Sequence, residues 1–262
     1  NILRTLCTAC ISRLHKLNRY IPKHNRHVGP MSGTLYVSPL WVEISPIKFL
    51  EEKIKAHKKI DLTNSRSFVS NNSATKLMLE DNSIDYIFTD PPFGENLQYS
   101  ELNAIYESFI NIRTNDLKEA VINKPQGKSV DEYRELMTSS FNEYYRVLKP
   151  GKWITVEFSN SKNTIWISIQ EAISKAGFIV CDVSILDKKK GTTKQLSLQN
   201  AVKQDLIISA YKPSEELLKI TEESTNQHNC CWSFIEEHLS KLPRLVIVDN
   251  HIDLIAERTK YT

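Results

Sequence analysis

The sequence lacks any stretch near the ~18 consecutive apolar residues that a membrane-spanning helix needs. It also lacks an opening segment in which positive charges precede an apolar core and a small-residue cleavage site. Hydrophobic residues make up 40% and charged residues 25% of the 262 residues, as in ordinary globular proteins. We therefore expect a soluble, cytoplasmic protein with one main core and no membrane partner.

Cysteine is scarce, and its odd count of five excludes a complete internal disulfide framework. Cys7 and Cys10 have the C-x-x-C spacing of many zinc ligands, but no second pair follows at zinc-site spacing. The apolar residues around them recur at helical spacing. We therefore predict that both cysteines lie in a helix and belong to the protein core, and we expect no metal.

A strong excess of one charge sign is also missing, since the net charge is only +3. This mild balance excludes a protein that binds nucleic acid by overall charge alone. Basic residues nevertheless cluster in three runs, at residues 13–27, 53–59 and 188–194. A solvated helix face or loop explains any such run by itself, so a run indicates a binding surface only beside a site that needs a polyanion.

The apolar pattern predicts alternating helices and strands along most of the chain. Helices are predicted at residues 2–18, 46–59, 102–112, 130–148 and 166–176. Strands are predicted at residues 67–70, 84–89, 153–158, 178–186 and 205–211.

This order predicts an α/β protein in three segments. Residues 1–65 form a helical and extended segment, and residues 66–213 form the core. In that core, parallel strands joined by crossover helices end on a closing antiparallel pair. Residues 214–262 begin an appended segment with an acidic start.

The chemistry is concentrated at D-P-P-F, residues 90–93, directly after the apolar strand 84–89. Ligands of open α/β sheets bind at the carboxyl ends of strands, where this segment lies. Proline has a fixed φ and no N–H group, so Pro91 and Pro92 make a stiff backbone. An ordinary turn also uses Asp and Pro, but the preceding strand and following helix favour a functional site.

These residue types fit the methylation of an exocyclic amine on a base. The lone pair of such an amine is delocalised into the ring, so acceptors on its hydrogens must draw the nitrogen toward tetrahedral geometry. The Asp90 carboxylate and the carbonyl of Pro91 are the candidate acceptors. Phe93 supplies a flat face on which a base flipped out of the duplex can stack.

Residues 73–213 resemble the prokaryotic DNA methylases of the N6-adenine and N4-cytosine amino-methyltransferase class. The resemblance is carried by S-A-T, D-N-S-I-D-Y-I-F-T-D-P-P-F-G, Y-S-E-L-N, Y-R-V-L-K-P-G-K-W, G-F-I-V and A-V-K-Q-D-L-I-I-S-A-Y-K-P.

The resemblance implies a Rossmann-like seven-stranded sheet, S-adenosylmethionine as cofactor and DNA as partner. It places Asp90, Pro91, Pro92 and Phe93 in the catalytic loop. Asp in the first position favours adenine N6, because the N4-cytosine enzymes more often have Ser there.

Other site residues are predicted at the same sheet edge. Asp90 and Phe158, at two strand ends, are the candidate donor contacts. The loop between the last two strands is the candidate phosphate-binding segment because of its four lysines, Lys188, Lys189, Lys190 and Lys194.

One departure from the family is clear: the glycine loop F-x-G-x-G is absent, and the seven glycines form no G-x-G. The segment G-P-M-S-G-T at residues 29–34 does not replace it, because no apolar strand precedes it. The chain also opens on Asn1 rather than Met. We therefore expect a fragment truncated at both ends, with the glycine loop upstream of Asn1.

Three alternatives stay open on the sequence. RNA guanine-N2 methyltransferases also use a D-P-P-F/Y-G loop. A nucleic-acid-binding remnant would have lost the donor site together with the glycine loop. A methyltransferase of small-molecule or protein amines would have little use for a lysine-rich loop.

Overall fold

The structure is a computed structural model that describes residues 2–11, 13–31, 34–59, 66–95, 97–160, 162–187, 204–223, 227–242, 245–248 and 251–254. The chain packs as two compact units, one of residues 1–71 with 97–121 and one of residues 72–96 with 122–262. The predicted division into three consecutive segments, with boundaries at residues 65 and 213, stays a prediction. Among the described helices, none combines the length and apolar character of a membrane span.

The first unit is mainly helical. Its elements are α1 (Ile2–Ile11), β1 (Arg19–Ile21), β2 (Arg26–Val28), α2 (Pro46–His57) and α3 (Tyr99–Ile110). Helix α1 packs against α2 and α3, while β1 and β2 form an antiparallel pair.

Local sequence explains where α2 begins. Pro46 takes the first helical position, and the Ser45 hydroxyl accepts a hydrogen bond from the backbone N–H of Lys48, which caps the helix. Helix α1 ends at Ile11, before the predicted end at residue 18. Cys10 is buried there, but Cys7 is exposed, so the prediction that Cys7 lies in the core is wrong.

A four-stranded mixed sheet forms the centre of the second unit. Its strands are β3 (Ile84–Thr89), β4 (Leu148–Phe158), β5 (Ile179–Asp187) and β6 (Gln204–Tyr211), in the spatial order β3-β4-β6-β5. β3 and β4 are parallel, and β6 is antiparallel to both β4 and β5. The predicted α/β class with a closing antiparallel pair is confirmed. The predicted strand at 67–70 is wrong, because residues 66–73 belong to no helix or strand.

Helices α4 (Val130–Val147) and α5 (Asn163–Lys175) pack against each other beside this sheet. A capping box starts α4: the Ser129 hydroxyl accepts from the N–H of Asp131, and the Glu132 carboxylate accepts from the N–H of Ser129. The core consists of apolar side chains from both helices and the central strands. Its fully buried members include Tyr133, Phe141, Ile154, Val156, Ile169, Ile173, Ile208 and Ala210.

The second unit also contains α6 (Glu215–Glu223), α7 (Gln227–Lys241) and the hairpin of β7 (Leu245–Val248) with β8 (His251–Leu254). Just after α7, Leu242 packs into a cluster with Cys181 and Tyr211 of the sheet. The hydroxyl of Tyr211 also lies 3.2 Å from Nδ1 of His238, within α7.

Candidate active site

The D-P-P-F segment leaves the sheet at the carboxyl end of β3. Because β3 and β4 are parallel, with Thr89 opposite Val156, the residues that follow the two strands emerge at the same edge. Asp90 is exposed at this edge, Pro91 is buried, and Phe93 is half-buried. The motif therefore combines an exposed acidic residue with a backbone that is packed into the protein.

Two side chains from distant parts of the chain hold the backbone of this loop. The hydroxyl of Tyr133, in α4, donates a hydrogen bond of 2.7 Å to the carbonyl of Pro92. The Nδ2 group of Asn160, two residues after β4, donates a bond of 2.6 Å to the carbonyl of Phe93. The two consecutive carbonyls are thus engaged by protein donors.

Gly94 and Glu95 anchor the end of the loop. Gly94 has a φ of 76°, in the left-handed region that glycine adopts without strain. Its carbonyl accepts a bond of 3.3 Å from the N–H of Ile122, and a Cβ here would lie 3.4 Å from side-chain carbons of Ile122 and Ile165. Glu95 forms an ion pair with Lys162, which precedes α5. The turn after Phe93 is therefore closely packed.

Phe93 of the loop, Phe158 and Trp166 form a row of contacting aromatic rings. The ring of Phe93 meets Phe158 edge to face, with centroids 5.5 Å apart and planes at 90°. Phe158 in turn stacks on Trp166 of α5, with centroids 6.1 Å apart. Phe158 is only 1% exposed, so Phe93 is the more accessible of the two phenylalanine rings. The role of Phe158 as a donor contact stays a prediction.

The segment that contains this loop matches a model of a known protein family. The N6/N4 methyltransferase model, described as DNA methylase, matches residues 84–249, which is well over half of the chain. The chain belongs to the DNA methylase family. This match confirms the resemblance drawn from the motifs. No curated protein matches this chain significantly.

Several solved structures show more distant likenesses to this chain. One is TTHA0409 of Thermus thermophilus, named a DNA modification methylase, with 14% identity, a TM-score of 0.34, and coverage of 60% of this chain and 56% of its own. Another is M1.HpyAVI in complex with SAM, with 13% identity, a TM-score of 0.29, and coverage of 52% and 47%. A SAM-dependent methyltransferase of Methanosarcina mazei has 11% identity, a TM-score of 0.32, and coverage of 65% and 78%. The chain spans little more than half the length of the first of these.

The sequence pattern did not identify Tyr133, Asn160 or Lys162 as site residues. Tyr133 belongs to the apolar stripe of α4 and is completely buried, so its spacing indicates core packing. Asn160 and Lys162 follow a strand end as ordinary loop residues. Only the position of Asn160 at the edge shared by β3 and β4 could have indicated it.

The predicted phosphate-binding segment cannot be placed relative to the loop. Lys188, Lys189, Lys190 and Lys194 lie outside the described residues, so their role as phosphate contacts stays a prediction. Within the described part of the chain, no three His, Cys, Asp or Glu side chains are grouped so that they could hold a metal ion.

Proposed function

We propose that this chain supplies the base-binding side of an S-adenosylmethionine-dependent methyltransferase that acts on adenine N6 in DNA. One observation carries the proposal: the D-P-P-F loop of a DNA methylase chain stands at the carboxyl end of β3 with its backbone anchored and Asp90 exposed. Ligands of open α/β sheets bind at this edge.

Asp90 and Pro91 would act on the target amine. The carbonyls of Pro92 and Phe93 already accept bonds from Tyr133 and Asn160, which favours the preceding carbonyl, that of Pro91, as the backbone acceptor. With the Asp90 carboxylate it would accept hydrogen bonds from the two amine hydrogens. Both bonds strengthen as positive charge develops on nitrogen, so they stabilise the transition state more than the bound substrate.

Phe93 would hold the flipped base in place. A target base leaves its duplex at a cost of a few kcal/mol, and stacking on an aromatic ring returns ~1–3 kcal/mol per base. The Phe93 ring is only half-buried and is held edge-on by Phe158. Its fixed orientation reduces the entropy that base stacking would otherwise lose.

Among the described residues, Asp90 is the candidate neighbour of the methyl donor. S-adenosylmethionine, when bound, supplies the methyl group from its sulfonium centre, and the structure of M1.HpyAVI contains it. The exposed Asp90 carboxylate suits the neighbourhood of a positively charged donor. No G-x-G turn exists in the sequence to bring backbone N–H groups against the other side of the donor.

The choice of adenine rests on the Asp at the first motif position. A direct experiment incubates the full-length protein, S-adenosylmethionine carrying a labelled methyl group, and unmethylated DNA, and then separates the nucleosides by mass spectrometry. We expect label in N6-methyladenine. Label in N4-methylcytosine would correct the target base, and label only in guanine N2 of an RNA substrate would replace the proposal with the RNA alternative.

A further inference from the structure

The hydroxyl of Tyr133 has a use that core packing does not explain. The residue is 0% exposed in the first turn of α4, among apolar side chains of the second unit. A phenylalanine would fill the same space without the cost of burying a hydroxyl. The hydroxyl instead donates to the carbonyl of Pro92 at 2.7 Å, inside the catalytic loop. The capping box of Ser129 and Glu132 sets the start of the helix that carries it.

Asn160 links the two loops that meet at the sheet edge. Its Nδ2 donates to the carbonyl of Phe93 at 2.6 Å, while its Oδ1 accepts from the N–H of Lys162 at 2.7 Å. Both ends of the amide are therefore used. Since Lys162 also pairs with Glu95, the loop after β3 is tied twice to the segment that leads into α5.

We propose that Tyr133 and Asn160 are positioning residues that set the ring of Phe93 and the carbonyl of Pro91 for the flipped base. The inference rests on the proposed function. The two bonds fix the carbonyls of Pro92 and Phe93, and so hold the backbone on both sides of the Phe93 Cα. Phe158 fixes the edge of the Phe93 ring. Without the two donors, the carbonyls of Pro92 and Phe93 are no longer held in place.

Each variant removes one donor, and Asn160→Asp also adds a negative charge that the pH profile below takes into account. Tyr133→Phe keeps the buried ring, and Asn160→Asp keeps an acceptor for the N–H of Lys162 while removing the donor to Phe93. Ser140→Ala is the matched control, because it removes a buried hydroxyl of the same helix, bonded to the Leu136 carbonyl away from the loop.

Three measurements test the inference in the full-length protein. Hydrogen exchange at residues 93–95 should accelerate in both variants and not in Ser140→Ala. With DNA that carries 2-aminopurine at the target position, the stacking-dependent fluorescence change should be reduced. Turnover should fall by at least ~10-fold with little change in KM for DNA, because displacement of reacting groups by about 1 Å costs up to ~100-fold.

A pH profile separates positioning from general destabilisation. As the pH is lowered toward the carboxyl pKa, the side chain in Asn160→Asp regains a proton that it can donate to the Phe93 carbonyl, so its activity relative to the wild type should recover. Tyr133→Phe should show no such recovery.

Unchanged exchange at residues 93–95, or unchanged turnover in both variants, would overturn the inference. A wild-type protein that neither methylates DNA nor stacks the base would overturn the proposed function instead. In that case hydrogen exchange would still decide whether these two side chains hold the loop.

Discussion

At the scale of single residues, the side chain of Asp90 and the backbone that follows it differ in exposure and in their contacts. Asp90 is exposed, whereas the carbonyls of Pro92 and Phe93 that follow it are held by Tyr133 and Asn160. Because the loop backbone is already held, the Asp90 carboxylate could act on a ligand without the loop first becoming ordered. Substitutions of the exposed residues should therefore affect chemistry more than folding.

In the full-length protein, Asp90→Ala should reduce methyl transfer by at least ~100-fold, as does removal of other partners that bind mainly the transition state. The melting temperature should stay close to that of the wild type, since the side chain is exposed. Asp85→Asn is the control: it removes another exposed carboxylate from the preceding strand, one that pairs with Lys149. Turnover near the wild-type level in a folded Asp90→Ala protein would refute the role of this carboxylate.

Phe93→Ala should weaken methyl transfer more than Phe93→Tyr or Phe93→Trp, because stacking of a base needs a flat face and contributes ~1–3 kcal/mol. Steady-state kinetics on one DNA duplex would measure the difference. If the alanine and tyrosine variants are equally active, Phe93 only packs against Phe158.

At the scale of elements, α4 positions both the loop and the segment before β3. The Glu143 carboxylate accepts from the N–H of Leu77, and Arg146 donates to the carbonyls of Leu77 and Leu79 and to Asp81. Hydrogen bonds from Arg146 hold the pKa of Glu143 at about 2, below its ordinary value of 4.5. This ion pair therefore joins α4 to residues 77–81, which lead into β3.

Glu143→Gln should lower the free energy of unfolding at pH 7 by about 1–2 kcal/mol, the loss of charged hydrogen bonds that are partly exposed. Because the folded pKa lies below the unfolded one, the stabilisation is complete above pH 4.5 and is lost as the pH falls toward 2. Urea unfolding of both proteins across this range should show the difference shrinking. Glu135→Gln, an exposed change on the same helix, is the control, and a difference independent of pH would contradict the assignment.

At the scale of the whole molecule, the proposed function requires a basic surface that binds the DNA phosphates and a donor site beside the loop. Replacement of Lys188, Lys189 and Lys190 by Ala should weaken binding to all DNA sequences alike and flatten its salt dependence, because phosphate contacts act by counterion release. Binding titrations at several salt concentrations measure the slope. An unchanged slope would remove these lysines from the DNA-binding surface.

The chain by itself should bind S-adenosylmethionine weakly or not at all. Only glycine allows the close backbone approach that a donor loop of this fold uses, and the chain has no G-x-G turn. Calorimetric titration should compare it with a DNA methylase that contains the glycine loop. Comparable affinity of the two proteins would show that these 262 residues build a donor site of another kind.

The sequence alone determined the features that depend on neighbouring residues. The apolar strand 84–89 with D-P-P-F directly behind it, the Pro46 start of α2 and the class of the sheet all follow from local pattern and residue chemistry. Only the tertiary structure decided which side chains hold the loop. Tyr133 and Asn160 lie 41 and 67 residues from the carbonyls they bind, and both were indistinguishable from core and loop residues by spacing. Contacts of this kind depend on how α4 and the end of β4 pack beside β3, and local periodicity carries no record of that packing.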